Sequence, residues 1–445
     1  METVLRYAHN DRKSHMRIRL IAPKWPAHSI WSALHFKFPY LSLAILGALT
    51  PPEHEVTVED ENLGPIKFDN ADLVAITVLT PLAPGAYRIA DEYRKRGAKV
   101  VLGGFHATWM PDEALNHADA VVIGEAEGVW NQLIKDAGAG RLGKIYKADS
   151  RPQPDDIPQA RRELIEDKYF FSNILQTTRG CPFDCRFCSV TAFYGGTYRF
   201  RPVEEIEKEV SSFTRGAGFV LFVDDNIVGN PAYAKRLFSM LKGHGKKWMS
   251  QASTTIIRDT ELLKLASESG CYGMFMGFES LNQENLDLMG KRMNAREAYS
   301  DVVKKLHDHG IGVHGSFIFG YDHDRNSVFD DVLDFSRKIR LDAAFMPVLT
   351  PFPGTEIRKR LMEEGRILSD DWSLYDMEHV VFRPKGMTPE ELQEGHDRAN
   401  REFYSASNIF KRIGRIHRSL WIFAPMNWDL RRAWRRKAPA PPVYL

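Results

Sequence analysis

Cys181, Cys185 and Cys188 stand in the stretch Arg179-Gly180-Cys181-Pro182-Phe183-Asp184-Cys185-Arg186-Phe187-Cys188, spaced C-x3-C-x2-C. Three thiolates on one tight loop can hold three corners of a [4Fe–4S] cube and leave the fourth iron without a protein ligand. An open iron is a place for a small molecule to bind and react. A structural zinc site would want four ligands, typically as two close pairs. The chain has four cysteines in all, and the fourth, Cys271, has no paired neighbour. It reads as a small buried residue. Three cysteines on a loop rich in glycine, proline and charge do not read as core.

The elements around this loop form a repeating series. Strand patterns at Ile174–Thr178, Phe219–Val223, Trp248–Ser253, Tyr272–Gly277, Val313–Phe319 and Phe345–Leu349 alternate with helical ones. Among the latter, Asp259–Ser269 has Asp259 as N-cap and Gly270 closing it. Each strand ends in polar or glycine residues, and in β/α barrels that carboxyl rim builds the active site. Six units leave such a barrel open on one side. The cysteine spacing, with Phe187 before the last cysteine and six β/α units, resembles the radical SAM superfamily. The resemblance implies that S-adenosylmethionine (SAM) chelates the open iron through its amino and carboxylate groups, with Phe187 near the adenine. It also implies roles on the rim. Asp224 and Asp225 would face the SAM ammonium, Ser253 and Thr255 the carboxylate or ribose, and Glu279 the ribose hydroxyls. Helix capping and turn formation are the alternative roles for these rim residues.

Ahead of the barrel, residues 1–148 alternate strand and helix afresh. Strands read at 18–23, 54–60, 72–77, 99–104 and 120–124, with helices at 41–49 and 84–96. This calls for a doubly wound parallel sheet, whose ligands bind beyond the carboxyl ends of the strands. Gly103-Gly104 and Gly124-Glu125 lie on that edge, where glycine lets a flat ligand approach the backbone. Together with the cysteine motif they resemble the cobalamin-binding domain of one radical SAM subfamily, the class B methyltransferases. The resemblance implies cobalamin contacts at Gly103, Gly104, His106, Gly124 and Glu125. An Asp-x-His-x-x-Gly loop, which supplies a cobalt-ligating histidine in other cobalamin domains, is missing after the first strand. His106 is therefore read as a hydrogen-bonding residue and not a cobalt ligand.

The fold class expected is α/β: an N-terminal Rossmann-like cobalamin domain (1–148), a proline-rich, stiff and exposed linker (149–170), an open partial (β/α)6 TIM-type barrel (171–365) and a mainly helical C-terminal region (366–445). The resemblance implies reductive cleavage of SAM to a 5′-deoxyadenosyl radical, followed by cobalamin-dependent methylation of an unactivated carbon. Oxidation, cyclisation or rearrangement without methyl transfer is the alternative, and a redox or cobalamin sensor a remote one. No residue stands out as a catalytic acid or base. The implied partners are a small-molecule substrate, lipid-like or tetrapyrrole, and a low-potential electron donor of flavodoxin or ferredoxin type.

A net charge of +2 across 445 residues gives the whole chain no nucleic-acid character. Few cysteines, an N-terminus without an apolar signal core and no long apolar run point to a cytoplasmic protein. In the tail, Lys411, Arg412, Arg415, Arg418, Arg431, Arg432, Arg435, Arg436 and Lys437 interleave with Trp421, Phe423, Trp428 and Trp434. Peripheral contact with an anionic membrane and packing of the tryptophans on the core are the two readings. Tyr375 and His379 are read as core residues, and Thr388-Pro389 as a helix start running to Phe403.

Overall fold

A computed structural model describes residues 15–165, 168–169, 171–213, 218–291, 293–413 and 418–437. The leader at 1–14, Glu166 and Asp167 of the linker, and Arg415 lie outside these residues. The first sheet contains β1 (Arg17–Ala22), β2 (Glu55–Asp60), β3 (Leu73–Thr77), β4 (Lys99–Gly103), β5 (Ala120–Ile123) and β6 (Ile145–Lys147). Its order is β2-β1-β3-β4-β5-β6, and every pair is parallel. The central strands are apolar along their length because helices cover both faces. The winding reverses between β1 and β3, and that switch point opens a crevice at the carboxyl edge. Strand β6 has no sequence signature: three residues with one buried side chain, Tyr146, are too short to show a period.

The second sheet starts at β7 (Ile174–Leu175). A two-stranded antiparallel ribbon follows, made of β8 (Thr178–Gly180) and β9 (Tyr198–Phe200). Then come β10 (Phe219–Phe222), β11 (Lys247–Gln251), β12 (Cys271–Glu279), β13 (Gly312–Phe317) and β14 (Ala343–Phe345). The order β7-β10-β11-β12-β13-β14 is sequential and all parallel, so the barrel has six strands and stays open between β7 and β14. Two boundaries differ from the sequence reading. The first strand ends at Leu175, short of Thr178. The buried Asp224 carboxylate accepts the backbone N–H groups of Thr177 and Thr178, turning the chain out of the sheet. The last strand lies at 343–345, ahead of the expected 345–349.

The tail is largely structural. Helix Leu420–Arg436 inserts Phe423, fully buried, into the floor of the barrel beside Phe219, Met249 and Ala343. Gly312 and Gly273 make this possible, because a methyl at either would run into the Phe423 ring. Trp434 and Arg412 are buried as well. Arg412 donates to the carbonyls of Leu341 (2.7 Å), Asp342 (3.0 Å) and Phe403 (3.1 Å), and stacks 3.6 Å over the Phe403 ring. Only Trp421 and Trp428 of the four tail aromatics stay on the surface.

The linker also departs from expectation. Ile157 and Ile165 are buried, Arg161 N donates to Ala44 O (3.0 Å), and Tyr169 donates to Asp60 of β2 (2.8 Å). Its composition signals loop, yet it lies along the first sheet because it supplies the partner for that buried carboxylate. Residues 23–38 cross to the C-terminal region, where Glu378 accepts from Ser29 Oγ (2.9 Å) and Ile30 N (2.8 Å). Tyr375 and His379 are fully buried, and Asp376 accepts from His379 Nδ1 at 2.8 Å. Helix Pro389–Phe403 opens on a capping box formed by Thr388 and Glu391. No helix among the described residues is long and apolar enough to cross a membrane. Replacing the floor plug, Phe423→Ala, is expected to lower the free energy of unfolding by about 3–5 kcal/mol, read by chemical or thermal denaturation.

Candidate active site

Cys181, Cys185 and Cys188 line one cavity of about 310 Å³ at the carboxyl rim of the barrel. The loop is tied down from three sides. Gly180 N donates to Asp225 Oδ2 (3.1 Å), Arg186 N to Met289 O (3.0 Å), and Asn226 Nδ2 lies 3.9 Å from Cys181 Sγ. Burial raises all three thiols above their ordinary range, Cys185 to about 12. Each neighbouring thiolate makes the next harder to form. Such a set ionises together only around a cation, and an iron cluster is a cation that takes thiolates. Cys271 is fully buried away from this cavity, with its thiol 3.6 Å from Gly273 O.

Of the rim residues named from sequence, Phe187, Asp225, Ser253 and Glu279 line the cavity. Asp224 does not. Its carboxylate is spent on Thr177 and Thr178, taking Thr177 Oγ1 at 2.8 Å and Thr178 Oγ1 at 2.6 Å besides their N–H groups. Thr255 is off the wall too, hydrogen-bonded to Ser253 (2.7 Å). Glu279 holds a positive φ of 70° and pairs at 2.6 Å with Lys291 Nζ. Asp225 is pushed up to about 7, first by burial and then by the neighbouring Asp224.

Two cavity residues escaped the sequence reading. Asn226 holds Ser253 N (3.0 Å) while facing Cys181, and its signal was its place directly after the two aspartates. Lys291 is half-buried, its Nζ 5.9 Å from the centroid of Phe187; desolvation opposes its charge, but Glu279 and Cys185 raise its pKa. It sits in an irregular loop with no pattern to reveal it.

A second cavity, about 320 Å³, lies at the carboxyl edge of the first sheet. Gly103, Gly104 and Gly124 line one side, with residues of helix Leu41–Leu49. Gly104 has φ +97°, and a Cβ there would press on Val78 N at 3.0 Å, so this edge must stay bare. Gly124, at φ +81°, would point a Cβ into open space. A glycine-bare, mostly apolar cradle at a switch point fits a flat macrocycle such as a corrin.

The opposite wall belongs to the barrel: Gln176, Arg179, Phe193 and Tyr194. Glu125 lines the cavity, but its carboxylate is taken up by Arg179 (2.8 Å), Arg199 (2.7 Å) and Arg151 (3.5 Å). Arg179 also reaches Glu127 at 2.6 Å. His106 faces away. It is fully buried, its Nε2 lies 3.1 Å from Tyr87 Oη and 3.4 Å from Glu113, and burial lowers its pKa. His106, expected as a cobalamin contact, is thus not among the residues that line this cavity. Helix Ser189–Tyr194, which follows Cys188 directly, separates the two cavities: Ser189 and Val190 line the first, Phe193 and Tyr194 the second.

Residues 175–336 match the radical SAM superfamily and residues 42–134 match the B12 binding domain. The chain is 33% identical to bacteriochlorophyllide d C-12(1)-methyltransferase of Chlorobaculum tepidum, over 96% of each chain. It is 30% identical to bacteriochlorophyllide d C-8(2)-methyltransferase of the same organism, over 79% of this chain and 82% of that one. Among solved structures, the radical S-adenosylmethionine methyltransferase TsrM from Kitasatospora setae, with cobalamin and [4Fe–4S] cluster bound, superposes with a TM-score of 0.66 at 16% identity, covering 88% of this chain and 90% of that one. The chain belongs to the radical SAM superfamily, in the branch that carries a B12-binding domain. It is an enzyme of the methyl-transferring kind whose cofactors are a [4Fe–4S] cluster, SAM and cobalamin.

Two outcomes follow for the site. Arg179→Met takes the arginine from the nearly inaccessible Glu127 carboxylate and one of three arginines from Glu125 on the wall of the second cavity. It is expected to cost roughly 3–5 kcal/mol of stability and to weaken cobalamin uptake, read by melting and by corrinoid absorbance after desalting. Because burial raises Asp225 in the folded state, the neutral acid is the favoured form. Its contribution is present below about pH 4 and is lost as pH rises through about 7. Asp225→Asn should flatten that part of the stability–pH curve of the cofactor-free protein, measured by denaturant titration.

Proposed function

We propose that this enzyme methylates an unactivated carbon on the periphery of a tetrapyrrole. The observation that carries the reading is kinship across both cofactor domains with two methyltransferases named for bacteriochlorophyllide d. The first cavity supports it, since Phe183, Phe275, Phe345 and Phe352 give it aromatic walls suited to a flat apolar ring. When bound, the cluster and SAM supply the radical that removes a hydrogen atom, and cobalamin supplies the methyl group.

The chain's own residues hold and orient. Cys181, Cys185 and Cys188 would hold the cluster, and Asn226 and Lys291 stand beside them to temper their negative charge. Asp225 would receive the SAM ammonium, whose positive charge turns the raised acid into a carboxylate. Phe187 and Ser253 would flank the adenosyl part. Glu279, tied to Lys291, would meet the ribose through whatever acceptor capacity that ion pair leaves. Glycines 103, 104 and 124 would let the corrin lie on the backbone, and Glu125 would act by fixing Arg179. Hydrogen-atom abstraction needs no acid or base, which agrees with an apolar cavity. A low-potential donor of flavodoxin or ferredoxin type would deliver the electron.

With a tetrapyrrole substrate, reductant and both cofactors, the expected products are S-adenosylhomocysteine and 5′-deoxyadenosine, quantified together. Deoxyadenosine alone would move the assignment to oxidation or cyclisation. Asp225→Asn is expected to weaken SAM binding about tenfold by equilibrium dialysis. Asp224→Asn should instead lower the melting temperature.

A further inference from the structure

Tail residues 411–437 hold nine of the chain's 60 lysines and arginines against one carboxylate, Asp429, so the rest of the chain is net negative. Asp429 is itself buried, accepting from His35 N and Arg432. Arg412 is buried, Arg432 pairs with Asp429 and Lys437 pairs with Glu378 and Asp397, while Lys411, Arg435 and Arg436 stand at the surface and leave this end positive. At that end, helix Leu420–Arg436 turns two faces in opposite directions. Phe423, Asn427 and Trp434 point into the barrel floor. Trp421, Pro425, Trp428 and Arg435 recur at i, i+4, i+7 and i+14 and form one outward stripe.

The stripe is broad and aromatic. Phe410, from the preceding helix, is 66% exposed and lies 6.0 Å from Trp428, itself 43% exposed. Cations sit beside the rings: Arg431 is 5.8 Å from Trp428 and Lys247 4.9 Å from Trp421. Beneath this face Trp421 packs on the buried Phe219 at 5.7 Å, and Phe219 in turn on the half-buried Phe171 at 5.3 Å.

We propose that this face is an interfacial surface that docks on an anionic lipid bilayer. Tryptophan and phenylalanine enter the headgroup–acyl boundary, and lysine and arginine pair with lipid phosphates. A bilayer fits better than a protein partner because exposed tryptophan and phenylalanine stand among exposed lysine and arginine at this end of the molecule. The floor then lies on the membrane with both cofactor cavities above it. The proposal stands apart from the reaction assignment, since binding is read without substrate or turnover.

The test is pelleting of full-length, cofactor-loaded protein with phosphatidylglycerol vesicles and with pure phosphatidylcholine vesicles, at low and high salt. Binding is expected to the anionic vesicles and to weaken with salt. Phe410→Ser with Trp428→Ser should abolish it. Arg435→Gln with Arg436→Gln should weaken it roughly 30-fold. Both pairs lie outside the cofactor cavities and are expected to keep the wild-type melting temperature and cluster absorbance. Failure to pellet with anionic vesicles at low salt, or pelleting that both variant pairs leave unchanged, would overturn the proposal and leave the patch to a protein partner.

Discussion

Asp224 is fully buried and accepts hydrogen bonds from two backbone N–H groups and two hydroxyls, those of Thr177 and Thr178. A buried carboxylate is costly unless its oxygens are satisfied, so this arrangement is strongly determined once formed. Its effect is to end β7 after two residues and bend the chain into the β8–β9 ribbon. The cysteine loop grows from that ribbon, and the next residue after Asp224 holds Gly180 N, one position before Cys181. The place of the cysteine loop therefore follows from satisfying one carboxylate.

The same bend creates the join between the two domains. It brings Arg179 to the carboxyl edge of the first sheet, where Glu125 and Glu127 receive it. These groups are nearly inaccessible to solvent, so the pairing is worth having only with good geometry, and that geometry sets the register of one cavity against the other. Helix Ser189–Tyr194 then forms the partition, with one end on each cavity. Stacking of Phe105 on Phe193 at 4.4 Å closes the apolar side of the same contact. Two cofactors can be held at a defined distance because one short segment, residues 176–194, serves both.

Much of this was readable from residue order. The alternation of Val, Ile and Leu strands with amphipathic helices specified two parallel sheets, and all six barrel strands were located to within a few residues. The capping residues Asp259 and Thr388 act as read, because capping is a local interaction. The tail was harder. Its basic and aromatic composition suited either of two environments, and the structure divides it residue by residue: Phe423 and Trp434 inward, Trp421 and Trp428 outward. Helical periodicity carries that division, but its phase depends on where Gly273 and Gly312 leave room.

The sequence by itself determined the spacing of three cysteines on one loop, the succession of two parallel sheets and the rim at which that loop would lie. These follow from short-range spacing and from strand periodicity, which survive without knowledge of the fold. Tertiary structure decided which of two adjacent aspartates faces the cavity. Successive side chains leave an extended segment on opposite sides, so Asp224 and Asp225 cannot both reach one site, and only the position of Thr177 selects between them. It also recruited Lys291 and Arg179, whose partners lie 12 and more than 50 residues away along the chain. Such contacts are made across folded elements, and no local pattern encodes them.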